Sequence, residues 1–252
     1  MLINQTLETL RKMGLSGMAQ AYRHQLEKSD SLALSFEERF SLLVDFEWTA
    51  RYDRRLSRLR KEAKLRLQAC MEDIDYQYPR GLDRNVILSL KSCNWLRSHQ
   101  GILITGPTGV GKSFLACAFG NAACRMGFKV RYYRLAQLFS ELGMAKADGT
   151  HTRLLHSIGG LDLLILDDWG LAPFTQSEGH ELLNIVEERY QSGSMIITSQ
   201  LPIDLWHGAF SDPTVADAVL DRIVHNSHKL NMQGESMRKI IKSQITLDTP
   251  EE

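Results

Sequence analysis

The 252-residue sequence has only four cysteines and six prolines, and it contains no long hydrophobic run. No apolar stretch approaches the roughly 20 residues that a membrane-spanning helix needs, so we expect no membrane partner. The first residues also lack the basic and then apolar pattern of a secretory signal. The cysteines form no CxxC pair and no metal-ligand spacing, which favours reduced thiols in a cytoplasmic protein over disulfides or a metal site.

The sequence lacks a net charge as well, because 30 Lys and Arg residues balance 30 Asp and Glu residues. Taken as a whole, this balance indicates no particular partner. It hides a local excess between residues 51 and 66, where eight basic side chains accompany two acidic ones.

Residues 1–97 show helical periodicity almost throughout, and they predict a helical N-terminal domain. We predict a long helix from about Phe36 to Cys70, and Pro79 and Gly81 separate it from a last helix over Leu82–Arg97. The apolar stripe of the long helix is predicted from side chains spaced by three or four: Trp48, Tyr52, Leu56, Leu59 and Ala63.

Residues 98–252 alternate short apolar runs with helical stretches. Strands are predicted at Ile102–Thr105, Lys129–Tyr133, Leu161–Leu166 and Ser194–Thr198. Strands that alternate with helices predict a parallel sheet covered on both faces, and therefore an α/β domain. The segment from Met144 to Gly160 contains several glycines, and we predict that it is a mobile loop.

A phosphate-binding loop (P-loop) motif follows the first strand and precedes a predicted helix, which is the context that such a loop requires. The motif has the form G-x-x-x-x-G-K-S and comprises Gly106, Pro107, Thr108, Gly109, Val110, Gly111, Lys112 and Ser113. Its glycines allow backbone N–H groups to surround phosphates, and the helix N-terminus adds its dipole. We expect Lys112 to reach the β- and γ-phosphates of ATP and Ser113 to ligate Mg²⁺.

Two acidic residues, Asp167 and Asp168, stand at the end of the third predicted strand. We expect Asp167 to hold the Mg²⁺ shell and Asp168 to orient and deprotonate the attacking water. Most such ATPases carry the longer Glu in the second position. The water must then lie closer or the strand must shift, and we expect slow hydrolysis. A simple Asp-Asp turn at a strand end is the alternative interpretation.

Three further polar positions are candidates for the same reaction. Ser199 or Gln200, at the end of the last predicted strand, would sense the nucleotide if that strand neighbours the P-loop strand; simple strand capping is the alternative. Arg222 and Arg238 are the other candidates, since an arginine supplied by a neighbouring subunit can accelerate hydrolysis by roughly 10³ to 10⁵. A surface salt bridge is the alternative for either arginine.

Several short motifs after the P-loop occur together in this sequence. They are Asp167-Asp168-Trp169-Gly170, Arg189-Tyr190, Ile197 through Pro202, Trp206-His207, Leu220-Asp221-Arg222 and Gly234 through Arg238. With these motifs, residues 36–242 resemble the IstB-type transposition ATPases, AAA+ proteins that insertion sequences encode beside their transposase. The DnaC/DnaI helicase loaders are close relatives of that family.

The resemblance implies an ATP-dependent homo-oligomer that binds and deforms target DNA, recruits the transposase and stimulates insertion. It implies that Arg222 is a trans-acting arginine finger and that Arg238 is a second sensor that binds the nucleotide. Only fourteen residues follow Arg238, so the C-terminal lid of many AAA+ proteins is expected to be reduced or absent. Gln200 stands where many relatives carry Asn.

The resemblance also gives the basic segment a meaning. On a helix, sixteen residues span about 24 Å, which is enough to follow several phosphates of a DNA duplex without reading its bases. We predict that six side chains contact the DNA: Arg51, Arg54, Arg55, Arg58, Lys61 and Lys64. A solvated face of a helical hairpin is the alternative interpretation.

Two other functions use the same core. In a helicase loader, the N-terminal domain would bind a helicase instead of the transposase or DNA. A small-molecule kinase also uses a P-loop, but the sequence shows no evident acceptor site and no lid long enough to exclude water.

Overall fold

A computed structural model of the chain describes residues 2–27, 33–237 and 239. Within this described part, no helix combines the length and the apolar character needed to cross a membrane. The predicted reduction of the C-terminal lid concerns residues 240–252, which lie outside the described residues.

The contacts of the chain divide it into two compact units, Met1–Arg58 and Leu59–Glu252. The sequence predicted this boundary after residue 97. The structure instead assigns residues 59–97 to the second unit, because their apolar side chains are buried within it. Trp95, for example, packs edge-on against Phe119, with 6.4 Å between the ring centroids.

Three helices begin in the first unit. They are α1 (Leu2–Lys12), α2 (Ser16–Glu27) and α3 (Phe36–Ala63). The start of α2 approaches α3 closely at Gly17, where a Cβ atom would lie 2.8 Å from the Cβ of Ala50. A side chain larger than hydrogen at Gly17 would therefore separate the two helices.

A buried carboxylate joins the same two helices. Glu47 of α3 accepts hydrogen bonds from the Met18 backbone N–H at 2.9 Å, Arg51 Nε at 2.7 Å and Arg54 Nη2 at 3.2 Å. Burial by itself would raise the pKa of Glu47, but the hydrogen bonds from Arg51 and from the backbone of Met18 and Gly17 lower it. Glu47 is therefore ionised at neutral pH and anchors the start of α2.

The predicted apolar stripe of α3 is wrong in its first half. Trp48 is 73% exposed and Tyr52 is 49% exposed, whereas Leu59 and Ala63 are buried as predicted. The reason is that α2 contacts α3 at Ala50, which lies about 200° around the helix from both aromatic residues, so α2 packs on nearly the opposite face.

Two predicted helices are shorter than expected. Helix α3 ends at Ala63 instead of Cys70, since Lys64 adopts the left-handed conformation with φ of 48°. The predicted helix before residue 98 is divided into α4 (Arg84–Lys91) and α5 (Asn94–Arg97), because Cys93 has φ of 55°.

The second unit contains one parallel sheet, and the predicted α/β fold is confirmed. Its strands are β1 (Gly101–Thr105), β2 (Val130–Arg134), β3 (Leu163–Trp169), β4 (Ser194–Ser199) and β5 (Ser227–Asn231). They lie in the order β2-β3-β4-β1-β5, and each neighbouring pair is parallel. The first four strands match the sequence prediction, whereas β5 was not predicted.

Helices cover both faces of this sheet. They are α6 (Lys112–Arg125), α7 (Leu135–Ala147), α8 (His151–Gly159), α9 (Gln176–Arg189) and α10 (Pro213–Val224). Leu103, Leu166 and Ile197 of the sheet share one core cluster with α7 to α10. Ile165 points to the opposite face and contacts α6 at Gly120. The strand side chains alternate between these two helical layers, as expected for a buried parallel sheet.

The segment predicted as a mobile loop is mostly helical. The region from Met144 to Gly160 contains the end of α7 and all of α8. Glu181 of α9 is buried beneath the turn between them, where it pairs with Lys146 and lies 2.9 Å from His151 Nε2. These contacts and the buried Ile158 fix a segment whose glycines had indicated mobility.

Replacing Glu47 by Ala should loosen α2. The change leaves Arg51, Arg54 and the Met18 N–H without their buried acceptor, which costs about 1–3 kcal/mol of local opening free energy. We expect amide hydrogen exchange in α2 to become about tenfold faster or more. Asp45→Ala, at an exposed position of the same helix, is the control. Unchanged exchange in α2 would contradict the anchoring role of Glu47.

Candidate functional site

The carboxyl ends of three adjacent strands meet at one edge of the sheet. Strand β1 ends at Thr105 and leads into the P-loop, while its neighbour β4 ends at Ser199. Beyond β4, strand β3 carries Asp167 and Asp168 near its end. Ligands of open parallel sheets bind at this edge, so the predicted motifs converge where a ligand is expected.

The P-loop connects β1 to α6, as predicted. Gly106 and Gly111 have φ of 144° and 107°, a region that L side chains avoid. At Gly106 the backbone also lies against the residue that follows β5, and a Cβ atom there would be 2.1 Å from the Met232 carbonyl oxygen. Glycine is therefore required at this position for conformation and for space.

Lys112 is folded back onto the loop. Its Nζ donates to the carbonyl oxygens of Gly106 and Pro107, both at 2.7 Å. Burial lowers the pKa of Lys112, and the carboxylates of Asp167 and Asp168 partly offset this effect. The ammonium group is thus held over the loop by weak carbonyl acceptors, which a phosphate can replace with a stronger, charged acceptor.

Asp167 is almost completely enclosed, with 1% exposure. It accepts hydrogen bonds from Ser113 Oγ at 3.0 Å and from the hydroxyls of Thr198 and Tyr132, and Arg66 Nη1 lies 3.7 Å away. Hydroxyl and carboxylate oxygens are the ligands that Mg²⁺ prefers, so Ser113 and Asp167 fit this ion.

Sequence reasoning missed three of these partners. Burial and the hydrogen bond to Asp167 raise the pKa of Tyr132, so its hydroxyl stays a donor. The hydrogen bond with Tyr132 raises the pKa of Arg66, which sequence reasoning had counted only as part of the basic segment. Thr198 was included in the β4 motif but received no role. The pairing of β2 and β4 with β3 was the available signal, since it brings Tyr132 and Thr198 beside Asp167.

Asp168 has a left-handed backbone, with φ of 67°. It lies at a register shift between β3 and β4, and its N–H donates to Thr198 Oγ1 at 3.3 Å. Asp tolerates this conformation better than most residues, because its short polar side chain can bond locally. The strand is therefore irregular at the position where a shorter acid replaces the usual Glu.

Of the two polar side chains at the end of β4, that of Gln200 bonds to the P-loop and that of Ser199 does not. Thr108 Oγ1 donates to Gln200 Oε1 at 2.7 Å. Ser199 is buried, and its hydroxyl donates to the Trp169 carbonyl at 2.8 Å. Ser199 is therefore used within the fold, and Gln200 faces the site.

These groups line a cavity of 520 Å³, within the size range of small-molecule sites. Lys112, Ser113, Asp168 and Gln200 lie at one side of it. The remaining wall comes from the segment before β1, from α6 and from the segment after β5: Arg66, Leu67, Asp73, Asp75, Gln77, Tyr78, Arg80, Phe114 and Met237. A groove of 590 Å³ beside β2 is slightly larger but contains no P-loop residue.

Two contacts support the P-loop from outside. Arg80 is buried and donates from Nη1 to the Val110 carbonyl at 3.2 Å. On the other side, the Met237 N–H donates to the Gly109 carbonyl at 3.0 Å. The loop is therefore held by residues that precede and follow the sheet in sequence.

The two predicted arginines stand apart from these groups. Arg222 lies on α10 and does not line the cavity of its own chain; its Nη2 is 3.3 Å from Glu187 Oε1. Arg238 lies outside the described residues.

The six predicted DNA-contacting side chains are all exposed. Five of them lie on α3, and Lys64 follows its last residue. Arg51 and Arg54 share the carboxylate of Glu47, which offsets part of their charge.

The backbone at Asp168 can be tested by comparing two substitutions that both remove the carboxylate. We expect the free energy of unfolding to be about 1 kcal/mol higher for Asp168→Gly than for Asp168→Ala. The left-handed conformation is strained for Ala, whereas Gly adopts it freely. Urea unfolding without nucleotide measures the difference. An alanine variant as stable as the glycine variant would show that residue 168 is not left-handed.

Comparison with known proteins agrees with this geometry. A putative insertion sequence ATP-binding protein of Sinorhizobium fredii is 48% identical over 239 residues, which covers 95% of this chain and 98% of that protein. Among solved structures, the replication initiator DnaA bound to AMPPCP and single-stranded DNA superposes with a TM-score of 0.57 at 21% identity. The match covers 73% of this chain but only 56% of the DnaA chain.

The DnaC helicase loader has a TM-score of 0.55 at 19% identity, with coverage of 68% of this chain and 99% of that structure. These identities are low, and the structural matches establish the AAA+ fold. The family model of the IstB-like ATP binding proteins matches residues 8–245. The chain belongs to the IstB-like ATP-binding protein family and has an α/β AAA+ fold.

Proposed function

We propose that this protein is an ATP-hydrolysing transposition helper that acts in the cytoplasm, assembles on duplex DNA and recruits the transposase of its insertion sequence. One observation carries the proposal. In a chain of the IstB-like family, the P-loop, Asp168 of β3 and Gln200 of β4 line one cavity at the edge of the sheet, and Asp167 accepts a hydrogen bond from Ser113 of that loop.

In this proposal the P-loop holds the triphosphate of ATP. Its backbone N–H groups and the N-terminus of α6 receive the phosphate oxygens. Lys112 exchanges the carbonyls of Gly106 and Pro107 for phosphate oxygens, which gives a charge-assisted bond. Ser113 and Asp167 hold Mg²⁺, which neutralises charge on the phosphates when bound.

Hydrolysis then depends on Asp168, Gln200 and Arg222. Asp168 accepts a proton from the attacking water and orients it, while Gln200 helps to place that water and responds to the phosphate. Arg222 acts on the nucleotide of a neighbouring subunit, and its position outside its own cavity supports this role. Arg238 is proposed as a second sensor.

The DNA surface in this proposal is the basic part of α3. Its six side chains would contact phosphates and contribute affinity that is independent of base sequence. Glu47 pairs with Arg51 and Arg54, and this carboxylate reduces the positive charge that those two side chains offer to a phosphate. The 48% identical relative is named a putative insertion sequence ATP-binding protein, which supports a role together with an insertion sequence.

The assembly can be tested by sizing the protein on duplex DNA with and without a non-hydrolysable ATP analogue. We expect a large complex only with the analogue, and its formation should weaken steeply as salt rises. Lys112→Ala is expected to remain small under both conditions, because it cannot hold the triphosphate. An oligomer size and a DNA affinity that are indifferent to the nucleotide would contradict the proposal.

The DNA surface can be tested by the triple substitution of Arg55, Arg58 and Lys61 by Ala. Each lost phosphate contact should reduce the slope of log affinity against log salt by about 0.9. A matched triple, Arg11, Lys12 and Arg23 to Ala, removes the same charge from exposed positions of α1 and α2. Equal losses in both variants would show that binding depends on overall charge and not on α3.

A helicase loader is the second candidate, and the match to almost the whole DnaC structure favours it. A pull-down that offers both partners distinguishes the two functions. Retention of a replicative helicase without the transposase would support the loader and contradict our proposal.

A further inference from the structure

Arg222 lies against two side chains at the end of the neighbouring helix α9: Glu187 in its last turn and Tyr190 just after its last residue. Its Nη2 is 3.3 Å from Glu187 Oε1, and its guanidinium carbon lies 5.9 Å from the centre of the Tyr190 ring. Its Nη1 also donates to the carbonyl of Ala218, one turn earlier on α10, at 2.6 Å. The guanidinium therefore has partners on three sides, although the side chain is still 29% exposed.

We infer that Glu187 and Tyr190 are positioning residues that orient Arg222 for catalysis in a neighbouring subunit. We call these two residues the Arg222 ledge. The inference rests on the proposed function, in which Arg222 is the trans-acting arginine. It assigns to the ledge a part in ATP hydrolysis that is carried out one subunit away.

The donor geometry of Arg222 suits this role. A guanidinium has five N–H donors in a fixed planar arrangement. The bonds to Ala218 and Glu187 use one donor each. The others stay available for phosphate oxygens, and the plane of the group is already set.

Orienting Arg222 before it contacts the phosphate should increase the rate of ATP hydrolysis. An arginine side chain carries about 2 kcal/mol of rotamer entropy, which must be lost when it meets a phosphate. Contacts within its own subunit remove part of this freedom in advance, so that less is lost in the transition state. Without the ledge, Arg222 would sample many orientations and reach the γ-phosphate less often.

The ledge itself is fixed by a buried arginine. Arg189, between the two ledge residues in sequence, has 1% exposure. Its Nη1 donates to the carbonyls of Ile158 and Leu161, at 2.6 and 3.0 Å, and its Nη2 donates to the Ser194 carbonyl at 2.7 Å. Burial lowers the pKa of Arg189 to about 10, so the group stays charged at neutral pH.

This anchor holds the last turn of α9 at the end where Glu187 and Tyr190 project. Gly193 leaves room for it, since a Cβ atom there would lie 2.6 Å from Arg189 Nη2. Helix α9 in turn packs along α10, which carries Arg222. The ledge is thus a rigid part of the fold, as a positioning function requires.

The pair between Glu187 and Arg222 contributes little to stability. Glu187 is half exposed, and ion pairs at exposed positions have small net energies. Removing Glu187 should therefore leave the fold intact, so an effect on turnover can be measured in a folded protein.

The first experiment measures ATP hydrolysis on duplex DNA by the full chain. Glu187→Ala is expected to lower kcat about tenfold, while KM and the affinity for a non-hydrolysable ATP analogue stay within about twofold. Glu187→Gln keeps an oxygen acceptor and should retain most of the turnover. Glu188→Ala is the control, because Glu188 is the next residue on α9, is exposed, and has its Oε1 3.7 Å from His156 Nδ1.

The double variant Glu187→Ala/Arg222→Ala tests whether the ledge acts through Arg222. Its kcat should be no lower than that of Arg222→Ala alone, since the side chain that Glu187 orients is already absent. Additive losses in the double variant would overturn the inference. A faster Glu187→Ala variant would also overturn it, because the pair would then restrain Arg222 instead of preparing it.

Mixed assemblies test action across the subunit boundary. Asp168→Asn subunits keep the ledge and Arg222 but lack the carboxylate for hydrolysis, whereas Glu187→Ala subunits keep that carboxylate. Mixing the two should give more turnover than the weighted mean of the separate preparations. A mixture that only matches this mean would contradict the inference.

These outcomes separate the inference from the function on which it rests. Normal turnover in Arg222→Ala would contradict the proposed role of Arg222 itself. Impaired Arg222→Ala together with normal Glu187→Ala would leave that role in place and refute the ledge alone.

Discussion

The candidate site depends on one buried charge, the carboxylate of Asp167. A carboxylate without water must find donors inside the protein, and Asp167 has them on four different elements. Ser113 begins α6, Thr198 lies on β4, Tyr132 lies on β2 and Arg66 precedes the sheet. The contacts that stabilise this charge therefore hold α6, the strands β2, β3 and β4, and the segment around Arg66 in fixed positions relative to one another. The same oxygens that these donors hold in place are the ones suited to Mg²⁺.

The next residue, Asp168, lies in a different environment. Both acids lie in the register shift between β3 and β4, but Asp167 still pairs with Arg134 of β2, whereas Asp168 adopts a left-handed backbone. Local irregularity of this kind costs free energy and persists where surrounding structure imposes it. Two adjacent acids thus occupy unlike environments, one enclosed among donors and one turned into the cavity with Lys112 and Gln200. That difference is consistent with separate tasks for the two carboxylates.

Sequence reasoning succeeded where the signal was local. The P-loop, the first four strands and the acids of β3 could be predicted because motif, periodicity and chain order all agreed. It failed where the outcome depended on contacts between distant segments. The spacing of Trp48 and Tyr52 fits an apolar stripe, yet α2 packs on nearly the opposite face of α3. The glycines around α8 indicated mobility, but the buried Glu181 holds that region. Tyr132 could be identified only after β2 was paired with β3.

The close approach of Met232 to Gly106 has a mechanical consequence. The segment after β5 touches the phosphate loop at Gly106 through the Met232 carbonyl and at Gly109 through the Met237 N–H. The two points of attachment lie five residues apart on one strand-to-turn segment that carries no regular ladder between them. A displacement of residues 232–237 would therefore move the phosphate loop at both of these points.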